Sequence, residues 1–169
     1  ESEVYVVSGD PEDGSLTVQK VRSDERAGAI SHWTFQVIDG WAWYVGRTSV
    51  YRTNAFEIQD VGWSLSGYFN PAADDDRFRI NPNLSSGAQS MAVKEKPHHW
   101  YIFSTATQSD TLNNTSFMID TQSLRPDPDS GKLKVNFAVW PGFYNQASAA
   151  VIEGGRERWY RMDDLGFVF

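Results

Sequence analysis

Three imidazoles, two acidic stretches and a set of tryptophans and tyrosines are the residues of this chain with the most chemistry to offer. The imidazoles are His32, His98 and His99. Zinc would accept them together with carboxylates. Adjacent residues on a strand point to opposite faces, so His98 and His99 would offer one ligand per face. They read as solvated side chains beside Trp100. Asp74-Asp75-Asp76 carries the oxygen ligands that suit a hard cation such as calcium. Asp127-Pro128-Asp129-Ser130-Gly131 matches the opening of an EF-hand loop, but Ala138 stands where the closing Glu is required. Both acidic stretches read as solvated turns. No metal and no cofactor are expected.

Covalent catalysis finds little to work with. There is no Cys to act as a nucleophile. A Ser-His-Asp triad needs no sequence proximity, but its common strand-to-helix elbow is missing. Gly62-Trp63-Ser64-Leu65-Ser66-Gly67 has the wrong spacing for that elbow. No P-loop, dinucleotide fingerprint or paired-histidine zinc helix is present. The 22 acidic residues allow too many carboxylate pairs for any one to stand out. The chain is therefore read as non-catalytic.

The aromatics are the better binding candidates. Trp41, Trp43, Tyr44, Trp63, Tyr68, Trp100 and Tyr101 could form a platform for sugar rings, line an apolar cavity or contact a protein partner. The same residues also suit ordinary cross-strand packing, because Trp at alternate positions of one strand marks a buried face.

Composition narrows the partners. The net charge of −7 argues against nucleic acid, whose phosphates call for a basic surface. No apolar run reaches the roughly 20 residues of a spanning helix. The start Glu1-Ser2-Glu3 suits a mature chain after signal cleavage, which places it outside the cytoplasm. A trimmed chain would start the same way.

These residues must be positioned by strands. Seven Trp, seven Tyr, 13 Gly and seven Pro fit a turn-rich β protein of one domain spanning residues 1–169. Val4-Tyr5-Val6-Val7 and residues 16–21 read as a hairpin about a polar turn. Trp33-Thr34-Phe35-Gln36-Val37 alternates, Asp39-Gly40 is a tight-turn signal, and Trp41 begins the return. Residues 56–61 and 64–69 read as two further strands, and Met91-Ala92-Val93 as another. Residues 43–48, opening Trp43-Tyr44-Val45, are echoed by residues 100–105, opening Trp100-Tyr101-Ile102, and residues 54–59 by residues 114–120. The echo predicts repeated hairpins and two related halves, about 33–80 and 98–169. Residues 133–139 alternate as a half-buried strand. Asn145 as a cap, three alanines and the stop Gly154-Gly155 predict one short helix over 145–153.

Residues 100–140 resemble the recurring unit of bacterial surface-adhesin protein E-like domains. The likeness lies in Trp100-Tyr101-Ile102, then Phe117-Met118-Ile119-Asp120-Thr121-Gln122-Ser123-Leu124, Gly131 and the strand ending at Trp140. The first copy departs from it, with Gln59 in place of Asp120 and Gly62 in place of Ser123. The resemblance implies a secreted, β-rich envelope protein without catalysis.

The expected fold is mainly β, an antiparallel sandwich or open barrel with at most one short helix. The expected function is protein binding or self-assembly at the periplasm or cell surface. A barrel carrying a small apolar ligand, lipocalin-like or cyclase-like, is the alternative.

Overall fold

The computed structural model describes residues 4–21, 27–70, 79–81, 83, 87–94, 97–107, 110–163, 165–166 and 168. The fold is mainly β. Two four-stranded antiparallel meanders pack face to face, and two hairpins flank them. The first meander runs β3 (Gln36–Ile38), β4 (Trp41–Val45), β5 (Val50–Thr53) and β6 (Ile58–Asp60). The second runs β7 (Gln89–Val93), β8 (Trp100–Thr105), β9 (Thr115–Pro126) and β10 (Leu133–Pro141). The flanking hairpins are β1 (Tyr5–Ser8) with β2 (Thr17–Lys20), and β11 (Ala147–Glu153) with β12 (Arg156–Met162). Neither meander closes on itself, so the architecture is an open sandwich and not the closed barrel of the alternative reading.

Strict alternation builds the core. Trp43 and Val45 on β4, with Val50 on β5, point inward from the first sheet. Tyr101, Phe103, Phe117 and Ile119 point inward from the second. Phe103 and Phe117 stack with ring centres 4.8 Å apart, and Tyr68 meets Phe117 edge-on at 5.2 Å. Tyr101 reaches the turn that leads into β3, where its hydroxyl donates to the Thr34 carbonyl at 2.6 Å. Beside it, Gln36 Nε2 donates to the Ser90 carbonyl at 3.0 Å and Ser90 Oγ donates to the Trp33 carbonyl at 3.1 Å. These bonds satisfy polar groups that would otherwise be stranded between the sheets.

Several expectations are met. Asp39 and Gly40 take φ of 51° and 78°, the doubly left-handed turn that matches strand twist. β1–β2, β7, β8–β9 and β10 all lie where alternation placed them. The Trp-Tyr strands β4 and β8 each hold the second position of a meander. The second half of the echo does not correspond. β4 pairs with β5, while Asn54-Ala55-Phe56 forms the loop leading into β6.

Three elements differ. Residues 147–153 are strand β11 and not a helix. Gly154 and Gly155, with φ of 59° and 78°, close a tight hairpin onto β12 instead of stopping a helix. The strand Arg156–Met162 needs a ladder partner, and that need outweighs the helix preference of three alanines. Residues 63–69 form a 3-10 turn and the short helix α1 (Ser66–Phe69) in place of a strand. Leu65, Tyr68 and Phe69 pack on the core at helical spacing. Residues 32–34 are likewise a 3-10 turn, with the Trp33 amide donating to Ser31 Oγ. Asp74, Asp75 and Asp76 lie outside the described residues.

Truncation of the stacked pair tests this core. Phe117→Ala removes a fully buried ring that touches Phe103 and Tyr68. It is expected to lower unfolding free energy by about 3–5 kcal/mol, read from urea denaturation.

Candidate functional site

The described histidines and carboxylates are taken up in separate local contacts. Among the described residues no group of three or more His, Asp or Glu side chains could hold a metal ion. His99 Nδ1 lies 2.7 Å from Asp39 Oδ2, which ties the β3–β4 turn to the start of β8. His99 Nε2 is buried and has no partner, so no serine completes a triad there. His98 stacks on Trp100 at 4.5 Å. Asp127 Oδ1 accepts from the Asp129 amide, the Ser130 amide and Ser130 Oγ. Lys134 Nζ sits 2.7 Å from Asp127 Oδ2. Lys134 and these turn donors hold the Asp127 carboxyl below the usual carboxylate range. Its oxygens brace the turn and are not left open to a cation.

The seven aromatics are dispersed. Trp43 and Tyr101 are core, with ring centres 6.1 Å apart, and Tyr68 borders the core. Trp41 also packs on the core, with the Arg52 guanidinium 4.0 Å from its ring centre. Partial burial lowers the Arg52 pKa, and Gln59 Oε1 accepts from its Nε. Trp63 is partly exposed under Lys132 Nζ at 3.9 Å. Trp100 lies on the outer face of the second sheet, edge-on to Trp159 at 5.2 Å. Tyr44 lies on the outer face of the first sheet, stacked between Phe35 at 4.8 Å and Tyr51 at 5.8 Å. Burial raises its pKa well above the ordinary tyrosine range, and its hydroxyl has no hydrogen-bond partner. These residues form no single platform.

One accessible site among the described residues is the outer face around Tyr44. Strand alternation turns Val37, Ala42 and Thr53 outward together, as the pairings Val37 with Ala42 and Ala42 with Thr53 show. Residues 4–6 run along one side. Between them is a groove of about 740 Å³, lined by Val4, Val6, Phe35, Val37, Ala42 and Ala55 among others. Among the described residues that line it there is no Asp, Glu, Lys or Arg, and His32 is the one imidazole. Val37 remains 59% exposed and Tyr5 53%. Tyr5, Val7 and Val18 share one face of the β1–β2 hairpin, since Val7 pairs with Val18.

Phe56 stands at the rim of this groove. It is 90% exposed, the most exposed of the large apolar side chains described. Its loop is closely braced. Asn54 Oδ1 accepts from the amides of Phe56 and Glu57, both at 3.1 Å. Thr53 Oγ1 donates to the Glu57 carbonyl at 2.8 Å and accepts from the Ala55 amide at 3.3 Å. Ala55 takes φ of 77°, a left-handed conformation that disfavours a Cβ. Sequence reading made Phe56 the first residue of a strand. Asn54, a residue that hydrogen-bonds its own backbone in turns, was the signal that pointed instead to a loop.

No family model matches the chain, and no curated protein or solved structure matches it.

The loop geometry is open to measurement. Ala55→Gly is expected to raise stability by up to about 1 kcal/mol by relieving the left-handed strain. Phe56→Ala is expected to change it by no more than about 0.5 kcal/mol, because the ring packs on little. Paired thermal and urea unfolding curves check both. A large loss in Phe56→Ala would mean the ring supports the fold.

Proposed function

We propose that the chain is a non-catalytic β-sandwich that binds protein and acts in assembly at the cell envelope or surface. The observation that carries this reading is Phe56, 90% exposed on a turn held by four hydrogen bonds, next in sequence to the lining of a groove whose described lining residues include no Asp, Glu, Lys or Arg. Solvent exposure of a ring is unfavourable, and so is the left-handed Ala55. A binding anchor explains both, because an immobilised aromatic loses little freedom when a partner covers it. The envelope location rests on the resemblance of residues 100–140 to the surface-adhesin unit. The residues that carry the resemblance, Trp100-Tyr101-Ile102, Phe117 to Leu124 and Leu133 to Trp140, lie on β8, β9 and β10.

The groove's volume also falls within the range of small-molecule sites, roughly 300–1,000 Å³. That favours a small apolar ligand as the second reading, bound on the outer face and not inside a barrel. An apolar dye whose fluorescence rises with wild type but not with Val37→Glu would support it.

The protein-binding reading is tested in cells of the source organism. A photoreactive amino acid at position 56 is expected to capture a discrete protein species, and the same probe at Asp129, on the β9–β10 turn, none. Capture at neither position, or equally at both, would overturn it. Fractionation of the same cells is expected to place the chain outside the cytoplasm, and recovery in the cytosol would overturn that part.

A further inference from the structure

The strands of the second sheet and the hairpin laid on its outer face differ sharply in burial. Tyr101, Phe103, Phe117 and Ile119 on β8 and β9 are fully buried. No residue of β11 or β12 is buried. We propose that β11–β12 is a hinged arm, which swings away from the outer face of the second sheet while the sandwich stays folded. This goes beyond the protein-binding reading and concerns the other outer face of the sandwich.

The arm is complete in itself. Each residue from Ala147 to Glu153 pairs with one from Arg156 to Met162, and the two strands form a sheet of their own. The Tyr160 hydroxyl donates to Glu153 Oε1 at 2.9 Å, and Arg158 Nε lies 3.4 Å from Glu153 Oε2. Leaving the second sheet therefore breaks no strand ladder. Residues 142–146 join β10 to β11 and supply the hinge, with Gly142 at φ of 69°. Asn145 pins the hinge to the body. Its amide donates to the Asn113 carbonyl at 3.0 Å and its Nδ2 to the buried Ser104 Oγ at 2.8 Å.

The seam between arm and sheet is poorly matched. Ser148 pairs with Arg161, Ala150 with Trp159 and Ile152 with Glu157, so these six share one face of the hairpin. That face meets the sheet where Trp159 lies edge-on to Trp100 at 5.2 Å and Glu157 Oε2 accepts from the Lys94 amide at 2.7 Å. Farther out on the same face Ile152 is 78% exposed, so the tip overhangs the sheet. Nearer the hinge, Ser148 Oγ and Gln146 Nε2 are shut away from the surface with no hydrogen-bond partner among the protein groups. Left dry, such atoms weaken the docking. Reached by water, they keep the seam wet and lose nothing when it parts. Few buried apolar contacts and exposed strand bonds are the marks of a segment that opens on its own. Beneath the arm lie Met91, Val93, Ile102, Trp100 and Met118, so the arm gates access to that apolar face.

Native-state hydrogen exchange on the purified 169-residue chain is the test. Amides of residues 147–162 are expected to exchange at least ~1,000-fold faster than those of Tyr101, Phe103, Phe117 and Ile119. Phe117→Ala separates partial from global opening. It is expected to speed exchange in β8 and β9 by roughly 100-fold or more and to leave the arm's exchange unchanged, because closed and arm-open molecules both keep the sandwich and lose that ring equally. A single thiol then reports the swing itself, since the chain has no Cys. Val93 is 1% exposed beneath the arm, and Val45 is 0% exposed between the sheets. The thiol of Val93→Cys is expected to react with an aromatic disulfide reagent at least ~100-fold faster than that of Val45→Cys, as Cys is a small apolar replacement at both places. Equal protection of arm and core would overturn the inference, as would arm exchange that rises in step with the core in Phe117→Ala. A Val93→Cys thiol as slow as that of Val45→Cys would also overturn it, for the hairpin would then fray in place. Should either cysteine variant fail to fold, the exchange contrast decides alone.

Discussion

The hydroxyl of Tyr101 is the group around which the sandwich is organised. Its ring belongs to the core between the sheets, and an unpaired phenol there would lose its hydration with nothing in return. Burial pushes its pKa far above the ordinary tyrosine range, so the group remains a donor and needs an acceptor. The Thr34 carbonyl supplies it from the turn that leads into β3. Presenting that carbonyl requires the backbone to turn at residues 32–34, where Ser31 caps the turn and Thr34 Oγ1 donates back to the Ser31 carbonyl at 2.7 Å. The turn in turn sets where β3 begins. Phe35 leaves it on the outer face and stacks on Tyr44, while Gln36 faces inward toward Ser90. One buried hydroxyl thus connects the core to the floor of the groove.

The two outer faces of the sandwich are treated differently, and the site follows from that asymmetry. On the second sheet, Met91, Val93 and Ile102 form a small apolar cluster with Trp100 and Met118. The β11–β12 hairpin lies against it, with Trp159 edge-on to Trp100 and Glu157 accepting from the Lys94 amide at 2.7 Å. On the first sheet, Ala27 joins Tyr44 and Tyr51 in a cluster flanked by Val4, Ala29 and Ile58. That cover extends over Tyr44 and Tyr51 but leaves Phe35 and Val37 open. The groove is the part of an apolar sheet face that the described residues do not fill.

The strands were largely legible because alternation and turn chemistry act over a few residues. Asp39-Gly40 and the alternation of β8 to β10 needed no distant partner to be read. The misread segments depend on something farther away. The alanines of β11 form a strand because β12 needs a ladder, and residues 63–69 coil because Leu65 and Tyr68 must reach one point of the core. The candidate site was less legible for the same reason. Trp and Tyr stand out in the sequence by their chemistry, but sheet pairing buries Trp43 and Tyr101. Val37, Ala42 and Phe35 gained interest only when they shared a face left uncovered. The residue pattern puts Phe56 on a strand, whereas its exposure follows from the Asn54 turn.

The β1–β2 hairpin adds weight to an interface on this side. A two-stranded ribbon is marginal in water unless one face packs on something. Here Val6 and Val4 face the groove, while Val7 and Val18 stand 61% and 67% exposed on the ribbon's opposite pleat with Tyr5. Polar turn bonds hold its tip, with Asp10 Oδ1 accepting from the Glu12 amide and Asp13 Oδ1 from the Ser15 amide. Those bonds order the tip but cover no apolar area. A partner seated on the groove would meet Tyr5 first and then the ribbon beyond it. Binding to the ordered ribbon and not to a frayed one would stabilise it by mass action, so ribbon and groove would behave as one cooperative surface.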